Sequence, residues 1–194
     1  MTQNKPQFLT RPATGAGILL SVLALDQITK LLALNLLGDS LFMGHVRSDH
    51  ARKAVGDFLW FFVAYNPGSA FSMAPQSLIP FLPPTVFFAL LTAVAGAFLV
   101  RYWLRHRDSV VRLGCALVLA GALGNLTDRL RITYVVDFIS VGLPGVLWRW
   151  PTFNVADSAI CVGVGLLLWG ERRMQAASVP TTDPSLPSGP EGTP

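Results

Sequence analysis

The sequence predicts an all-α membrane protein: four transmembrane helices, a small extracytoplasmic β element and an interfacial loop or helix. Three observations carry that expectation. Of the 194 residues, 52% are hydrophobic and only 13% charged, where a soluble domain would be about 25% charged. The mean hydropathy is +0.49. Four apolar runs, at about 13–37, 78–100, 110–126 and 155–170, each approach the ~20 residues that cross ~30 Å of hydrocarbon.

The first run follows Lys5 and Arg11, as a signal peptide would. It runs past the usual apolar core of such a peptide, contains Asp26 and Lys30, and has no small-residue cleavage site after it. It is read as a retained anchor. The fourth run is short, so part of its flank is expected at the interface. Cys115 and Cys161 both fall inside apolar runs and are read as small buried residues rather than as a disulfide or a metal site.

The net charge of +4 and pI near 9.5 do not point to nucleic acid, because of where the charges fall. Lys5 and Arg11 precede the first run, Arg101, Arg105, Arg107 and Arg112 crowd the link between the second and third, and Arg172 and Arg173 follow the fourth. If four spans alternate, all of these lie on one side, and that side is cytoplasmic. Arg47, Arg52, Lys53, Arg131 and Arg149 lie on the other. Both termini are therefore expected inside.

A single integral-membrane unit over 1–175 is expected, followed by a tail over 176–194. That tail, rich in Pro, Ser, Thr and Gly, is expected to be disordered and cytoplasmic. The outward-facing link over 38–77 joins a polar stretch, "GHVRSDHARKAVGD", to "FLWFFVAYNPGSAFSM", which is β-prone up to Tyr65 and turns at Asn66-Pro67-Gly68. The link over 131–153 contains "ITYVVDFI", a short strand. Trp148, Trp150 and Phe153 after it suit a membrane–water interface.

Polar residues interrupt these runs at one depth. Asp26 lies roughly 20 Å across the first run at 1.5 Å per residue, in the outer half, with Lys30 one turn beyond. Asn125, Asp128 and Arg129 come at the outer end of the third run. Asn154 and Asp157, in "FNVADSAI", occupy the outer first turn of the fourth and share a helix face. Each has a simpler explanation when taken alone. Asp26 and Lys30, at i and i+4, suit a packing ion pair. Ala116, Ala120 and Gly124 form a small-residue face for close helix packing. Asn125 and Arg129 suit a brace at the helix end, and Asp128 a salt-bridged support. A first-turn carboxylate such as Asp157 stabilises a helix dipole. Asp137, with two apolar residues on each side, is less easily explained.

The chemistry open to these groups is limited. There is no Ser–His–Asp order and no cysteine outside the apolar runs. His45 and His50 share one polar loop while His106 lies on the other side, so no shared metal site is expected. No glycine pattern of a nucleotide-binding loop occurs. Two aspartates sharing a proton can activate water and protonate a leaving amine, with apparent pKa values that belong to the pair. Asp137 and Asp157 are the candidates.

Five motifs, "DQITK" (26–30), "NPGSAF" (66–71), "GALGNLTDR" (121–129), "VVDFI" (135–139) and "FNVADSAI" (153–160), resemble in order and spacing those of the lipoprotein signal peptidases, or signal peptidase II. The resemblance covers about 19–170. It implies an aspartyl endopeptidase of the bacterial cytoplasmic (inner) membrane. Such an enzyme removes the signal peptide from diacylglyceryl-modified prolipoproteins, cutting just before the lipidated cysteine, and is inhibited by globomycin. It further implies that Asp137 and Asp157 are the catalytic pair. Asp26, Lys30, Asn66, Gly68, Gly121, Asn125, Asp128, Arg129 and Asn154 match residues lining or supporting the site. No cofactor, metal or nucleic acid is expected, and a monomer among membrane lipids is. A charged stretch over 44–56 is longer than the family's usual link, and the C-terminal tail is an addition.

The expected mechanism brings the lipidated substrate to the site laterally within the bilayer, with Asn125 and Asn154 holding the pair and Arg129 positioning a carbonyl or lipid group. Which aspartate is base and which acid stays open at the sequence level. The alternative from another class is a small proton- or ion-coupled transporter. Transporters place such groups at the midplane between repeated halves, and this chain shows neither feature. A non-catalytic scaffold would not need two placed aspartates.

Overall fold

The computed structural model of the chain describes residues 12–37, 41–42, 45–46, 51–67, 81–145 and 148–178. In chain order the elements are α1 (Pro12–Leu37), β1 (Leu41–Phe42), β2 (His45–Val46), β3 (Arg52–Val55), β4 (Leu59–Asn66), α2 (Pro84–Arg105), α3 (Ser109–Ile132), β5 (Val135–Val141) and α4 (Val155–Ser178). The architecture is mostly helical with a small antiparallel sheet. Three of the described helices, α1, α2 and α3, are long and apolar enough to cross a membrane. Their outward faces are apolar, with Leu20, Ile28, Leu36, Leu90, Val94 and Phe98 all more than half exposed. An aqueous domain of this size would bury such side chains.

The helix ends differ from the apolar runs for identifiable reasons. The second run was expected from 78, but the helix starts at Pro84 and continues to Arg105. Pro83, at φ −57° and ψ 138°, is held out of the α region by the proline that follows it, while Pro84 suits a first helical position. α3 begins under Asp108, whose carboxylate accepts from the Val110 and Val111 backbone N–H groups at 2.9 and 3.2 Å, an N-cap. It runs past 126 to Ile132 and closes on Thr133 in the left-handed region at φ 68°. α4 extends beyond 170 to Ser178, three residues into the expected tail, because "ERRMQAA" continues with helix formers and Arg173 pairs with Asp108 across the bundle. The remainder of the tail lies outside the described residues, as do 68–80 of the long outer link.

Helix packing depends on missing side chains. α3 lies against both α1 and α4, with Ala116 and Ala120 fully buried. A Cβ on Gly121 would collide with the Ala156 carbonyl oxygen, and one on Gly124 would stand 2.5 Å from Asp26 Oδ2. The expected small-residue face therefore exists, and Gly121 extends it toward α4. Cys115 is buried as expected, but Cys161 is exposed, since it falls on the outward side of α4.

The sheet has the order β3–β4–β5. Ala64 pairs with Asp137 and Asn66 with Val135, with a register shift between Phe61 and Ala64. Val63, Val136 and Phe138 pack on Ala33 near the end of α1, which seats the sheet at that end of the helices. Trp148 and Trp150 are exposed and meet edge to face at 5.9 Å. Phe153 instead turns back to form a β-bridge with Ile139 and is half-buried, so it is a structural strut rather than an exposed anchor. That bridge delivers the chain from β5 to the first turn of α4.

Candidate active site

α4 starts with a reciprocal cap. Asn154 Oδ1 accepts from the Asp157 backbone N–H at 2.9 Å, and Asp157 Oδ2 accepts from the Asn154 backbone N–H at 3.1 Å. The three-residue spacing is that of a capping box. In most helices such a carboxylate only satisfies the end. Here its other oxygen, Oδ1, accepts from Asn125 Nδ2 at 2.8 Å, so Asp157 is held on two sides.

Asn154, itself fully buried, also reaches the sheet. Its Nδ2 donates to Asp137 Oδ1 at 2.8 Å. Asp137 Oδ2 accepts from Asn66 Nδ2 at 3.0 Å, because Asn66 lies two residues beyond Ala64, the cross-strand partner of Asp137, and so on the same face. The two aspartates thus meet about one asparagine, one on a strand and one on a helix start. Burial, and then the negative charge of Asp157, push the Asp137 carboxyl up to about 7 from its ordinary 3.8. That keeps it near the protonation midpoint at neutral pH.

Behind the pair lies a buried charge cluster. Lys30 Nζ stands 2.9 Å from Asp26 Oδ2, 2.9 Å from Asp128 Oδ2 and 3.0 Å from Asn125 Oδ1. Lys30, Asp26 and Asp128 are all fully buried, a position tolerable only when charges are paired and hydrogen-bonded. The remaining oxygens are used too. Asp26 Oδ1 accepts from the Ala156 N–H at 2.9 Å, and Asp128 Oδ2 from the Val136 N–H at 3.1 Å. The cluster thereby ties α1 and α3 to the backbone immediately beside both aspartates.

Every expected site residue within the described part comes to this region: Asp26, Lys30, Asn66, Gly121, Asn125, Asp128, Arg129, Asp137, Asn154 and Asp157. Gly68 lies outside the described residues. Asp128 is a salt-bridged support as expected, but its close partner is Lys30, with Arg131 farther away at 3.8 Å. Arg129 donates to the Asn125 backbone oxygen at 3.4 Å and lies 3.8 Å over the Phe88 ring of α2, and its charge also acts on Asp137 and Asp157.

Two contributors escaped the sequence reading. Gln27 Nε2 donates toward Asp26 Oδ2, the Gly124 carbonyl and Asp128 Oδ1 at 3.1 to 3.3 Å. Its signal was its position inside "DQITK". Phe88, the buried residue of α2, carried no signal, since nothing in an apolar run marks which ring will meet an arginine.

Comparisons with known proteins bear on the family. A sequence model of the family Peptidase_A8, described as signal peptidase (SPase) II, matches residues 18–171. A lipoprotein signal peptidase of Polynucleobacter necessarius is 38% identical over 160 residues, covering 81% of this chain and 88% of its own. One from Syntrophotalea carbinolica is 40% identical over 154 residues, with 78% and 86% covered. Two solved bacterial membrane enzymes share the fold. One has a TM-score of 0.69 at 24% identity and covers 89% of this chain and 95% of its own. The other has a TM-score of 0.65 at 26% identity, with 82% and 93% covered. With a family match spanning most of its length and placing all five motifs inside it, the chain belongs to the signal peptidase II family.

Proposed function

We propose that this protein is an intramembrane aspartyl endopeptidase that removes the signal peptide from diacylglyceryl-modified prolipoproteins, cutting just before the lipidated cysteine. The observation that carries the reading is the meeting of Asp137 and Asp157 about Asn154, two acidic groups from different elements with no role in holding one another.

In the reaction, one carboxylate takes a proton from water as the water oxygen bonds to the scissile carbonyl carbon. The other, protonated, gives its proton to the carbonyl oxygen. Collapse of the resulting gem-diol breaks the C–N bond. The amine nitrogen receives the proton first taken from water, and the second carboxyl recovers its own from a hydroxyl. Peptide and water are thus converted to acid and amine with both aspartates restored.

In this reading α4 is the fourth transmembrane helix, although Asp157, Glu171, Arg172 and Arg173 reduce its apolar length. Both termini are cytoplasmic, which puts the arginines of the α2–α3 link and the end of α4 inside. The site then lies near the outer face of a bacterial inner membrane. There a substrate held by its acyl chains presents the bond beside its modified cysteine after lateral diffusion. The exposed Trp148 and Trp150 suit that interface. Residues 1–175 act as one peptidase unit, as a monomer, and the tail plays no part in cleavage.

The test is direct. Purified protein is incubated with lipidated prolipoprotein, with and without globomycin. A mature product formed only without the inhibitor supports the reading, and its absence from an otherwise folded preparation overturns it.

A further inference from the structure

Lys30 does more than neutralise two acids. An ammonium has three N–H donors and no acceptor, and its three neighbours here are Asp26 Oδ2, Asp128 Oδ2 and Asn125 Oδ1. Two are charged. The third is one end of a neutral carboxamide, whose two ends differ little in shape but are opposite in hydrogen-bond character. Only the oxygen can face Lys30, so the nitrogen must face Asp157, at 2.8 Å. Asn154 Nδ2 also donates to that oxygen, at 3.2 Å, so Lys30 supplies the shorter and charged part of the restraint. Without it the amide is freer to turn its oxygen toward that carboxylate, and a donor would become a repelling acceptor.

The surroundings of the two acids are also unequal. Asp157 sits in the first turn of α4, where a helix N-terminus favours an anion, and it receives the Asn154 N–H as well. Asp137 lies on a strand at 1% exposure, away from the helix N-terminus, and the charges of Lys30 and Arg129 reach it as they reach Asp157. The charged groups around Asp157 are Asp26 and Lys30 on α1, Asp128 and Arg129 on α3 and Asp137 on β5. Among them Lys30 is the one that acts on Asp157 through a single intervening amide.

We propose that Lys30 is a positioning residue that fixes the polarity of the Asn125 carboxamide, and that this arrangement makes Asp157 the general base and Asp137 the general acid. The assignment rests on the peptidase reading above. In the first step Asp157 accepts the proton of the attacking water and Asp137 donates to the carbonyl oxygen. In the second, the C–N bond breaks as Asp157 returns that proton to the leaving amine, and Asp137 retakes its own from a hydroxyl of the collapsing gem-diol.

The test compares the full chain with Lys30→Met/Asp128→Asn, which removes the donor to Asn125 and preserves the net charge of the cluster. Cleavage of a lipidated prolipoprotein is measured against pH, with melting temperature in detergent as the folding control. A base needs to be ionised, so weakening its donor moves the acid limb of the kcat profile to higher pH. The expected result is that shift, with kcat at least about tenfold lower, a part of the roughly 10²–10⁴-fold that a positioned base contributes, and KM within about twofold. Asn125→Asp, nearly isosteric and still able to accept from Lys30, turns an oxygen toward Asp157 and should give the same shift even if the double variant fails to fold. An acid limb and kcat like the wild type, in either variant at an unchanged melting temperature, overturn the proposal. A shift of the alkaline limb alone overturns the assignment of roles. Asp157→Asn in the same assay separates the two levels: cleavage retained there would sink the peptidase reading itself, whereas its loss beside wild-type-like Lys30 variants would sink only this inference.

Discussion

Lys30 and Asp128 stand on different helices, 2.9 Å apart, with both side chains fully excluded from solvent. A pair of this kind contributes little net stability over apolar substitutes, but losing Asp128 leaves Lys30 with Asp26 as its carboxylate partner and takes the acceptor from the buried Val136 N–H. Asp128→Ala is expected to destabilise the protein by about 1–3 kcal/mol, read as a lower melting temperature in detergent. Lys53 and Asp57 are at the same distance, with side chains 58% and 61% exposed. Asp57→Ala should leave the melting temperature unchanged, since solvent already screens that pair. Equal effects from the two substitutions would mean that burial is not what gives the Lys30 cluster its weight.

The Asp137 carboxyl, pushed up to about 7 mainly by burial and next by Asp157, is pulled the other way by hydrogen bonds from Asn66 and Asn154. Asn66 donates to the ionised form, so Asn66→Ala removes a stabiliser of the anion and the proton is held more tightly. If the protonated carboxyl is needed for turnover, the alkaline limb of kcat/KM moves to higher pH, and cleavage persists where the wild type has lost it. A limb that stays put or moves down would contradict the sign. The folding consequence has the opposite sense from that of a salt-bridged acid. Between 3.8 and about 7 the unfolded chain has released this proton while the folded protein keeps it. Stability from this group therefore falls as pH rises through that window and is level above it. Asp137→Asn should flatten that part of the stability profile.

Much of this site was legible because its polar residues interrupt apolar runs, and a polar group there needs a reason. Helix rise alone brought Asp26, Asn125, Asn154 and Asp157 to one level. What could not be read was which helix faces which. Asp128 and Arg129 are neighbours in the chain, and the sequence suggested a salt-bridged support and a helix-end brace without saying which helix each would meet. Successive residues on a helix point about 100° apart, so Asp128 turns to Lys30 on α1 while Arg129 lies between Phe88 on α2 and the charges of Asp137 and Asp157. Helix ends were misread for a related reason. The apolar run of α3 stops near 126, but the helix continues because partners on α1 and the sheet, invisible in a one-dimensional reading, satisfy its polar residues. The double proline that delays α2 was in plain view and outweighed hydropathy.

Arg149 clamps the segment that leads from β5 to α4. Its Nε donates to Ser140 Oγ at 2.9 Å, one terminal nitrogen to the Ser140 carbonyl at 2.8 Å and the other to the Asp57 carbonyl at 2.8 Å. The guanidinium also lies 4.1 Å over Trp60. No lysine reproduces three donors fixed in one plane. Arg149→Lys is therefore expected to loosen the link, detected as a lower melting temperature and faster proteolysis between 142 and 153. If the variant matches the wild type in both measurements, charge rather than the planar fork holds the segment.

The closest helix contacts make the sharpest test of how the aspartates are placed. An added methyl at Gly121 would meet the Ala156 carbonyl oxygen, which is backbone in the first turn of α4, one residue before Asp157. Backbone cannot rotate aside, so the start of α4 has to move, and Asn154 and Asp157 move with it. At Gly124 the methyl meets Asp26 Oδ2 at 2.5 Å, an oxygen already shared with Lys30. At Gly165 nothing lies within 4 Å. Gly121→Ala should therefore lose most cleavage, since displacements near 1 Å at a reacting geometry can cost about 100-fold. Gly124→Ala should lose both activity and melting temperature. Gly165→Ala should keep its activity, and its melting temperature should be equal or slightly higher, because alanine favours a helix by about 1 kcal/mol over glycine. Full activity in Gly121→Ala would show that the first turn of α4 can shift without disturbing the pair, and the placement of Asp157 by the α3–α4 contact would then be wrong.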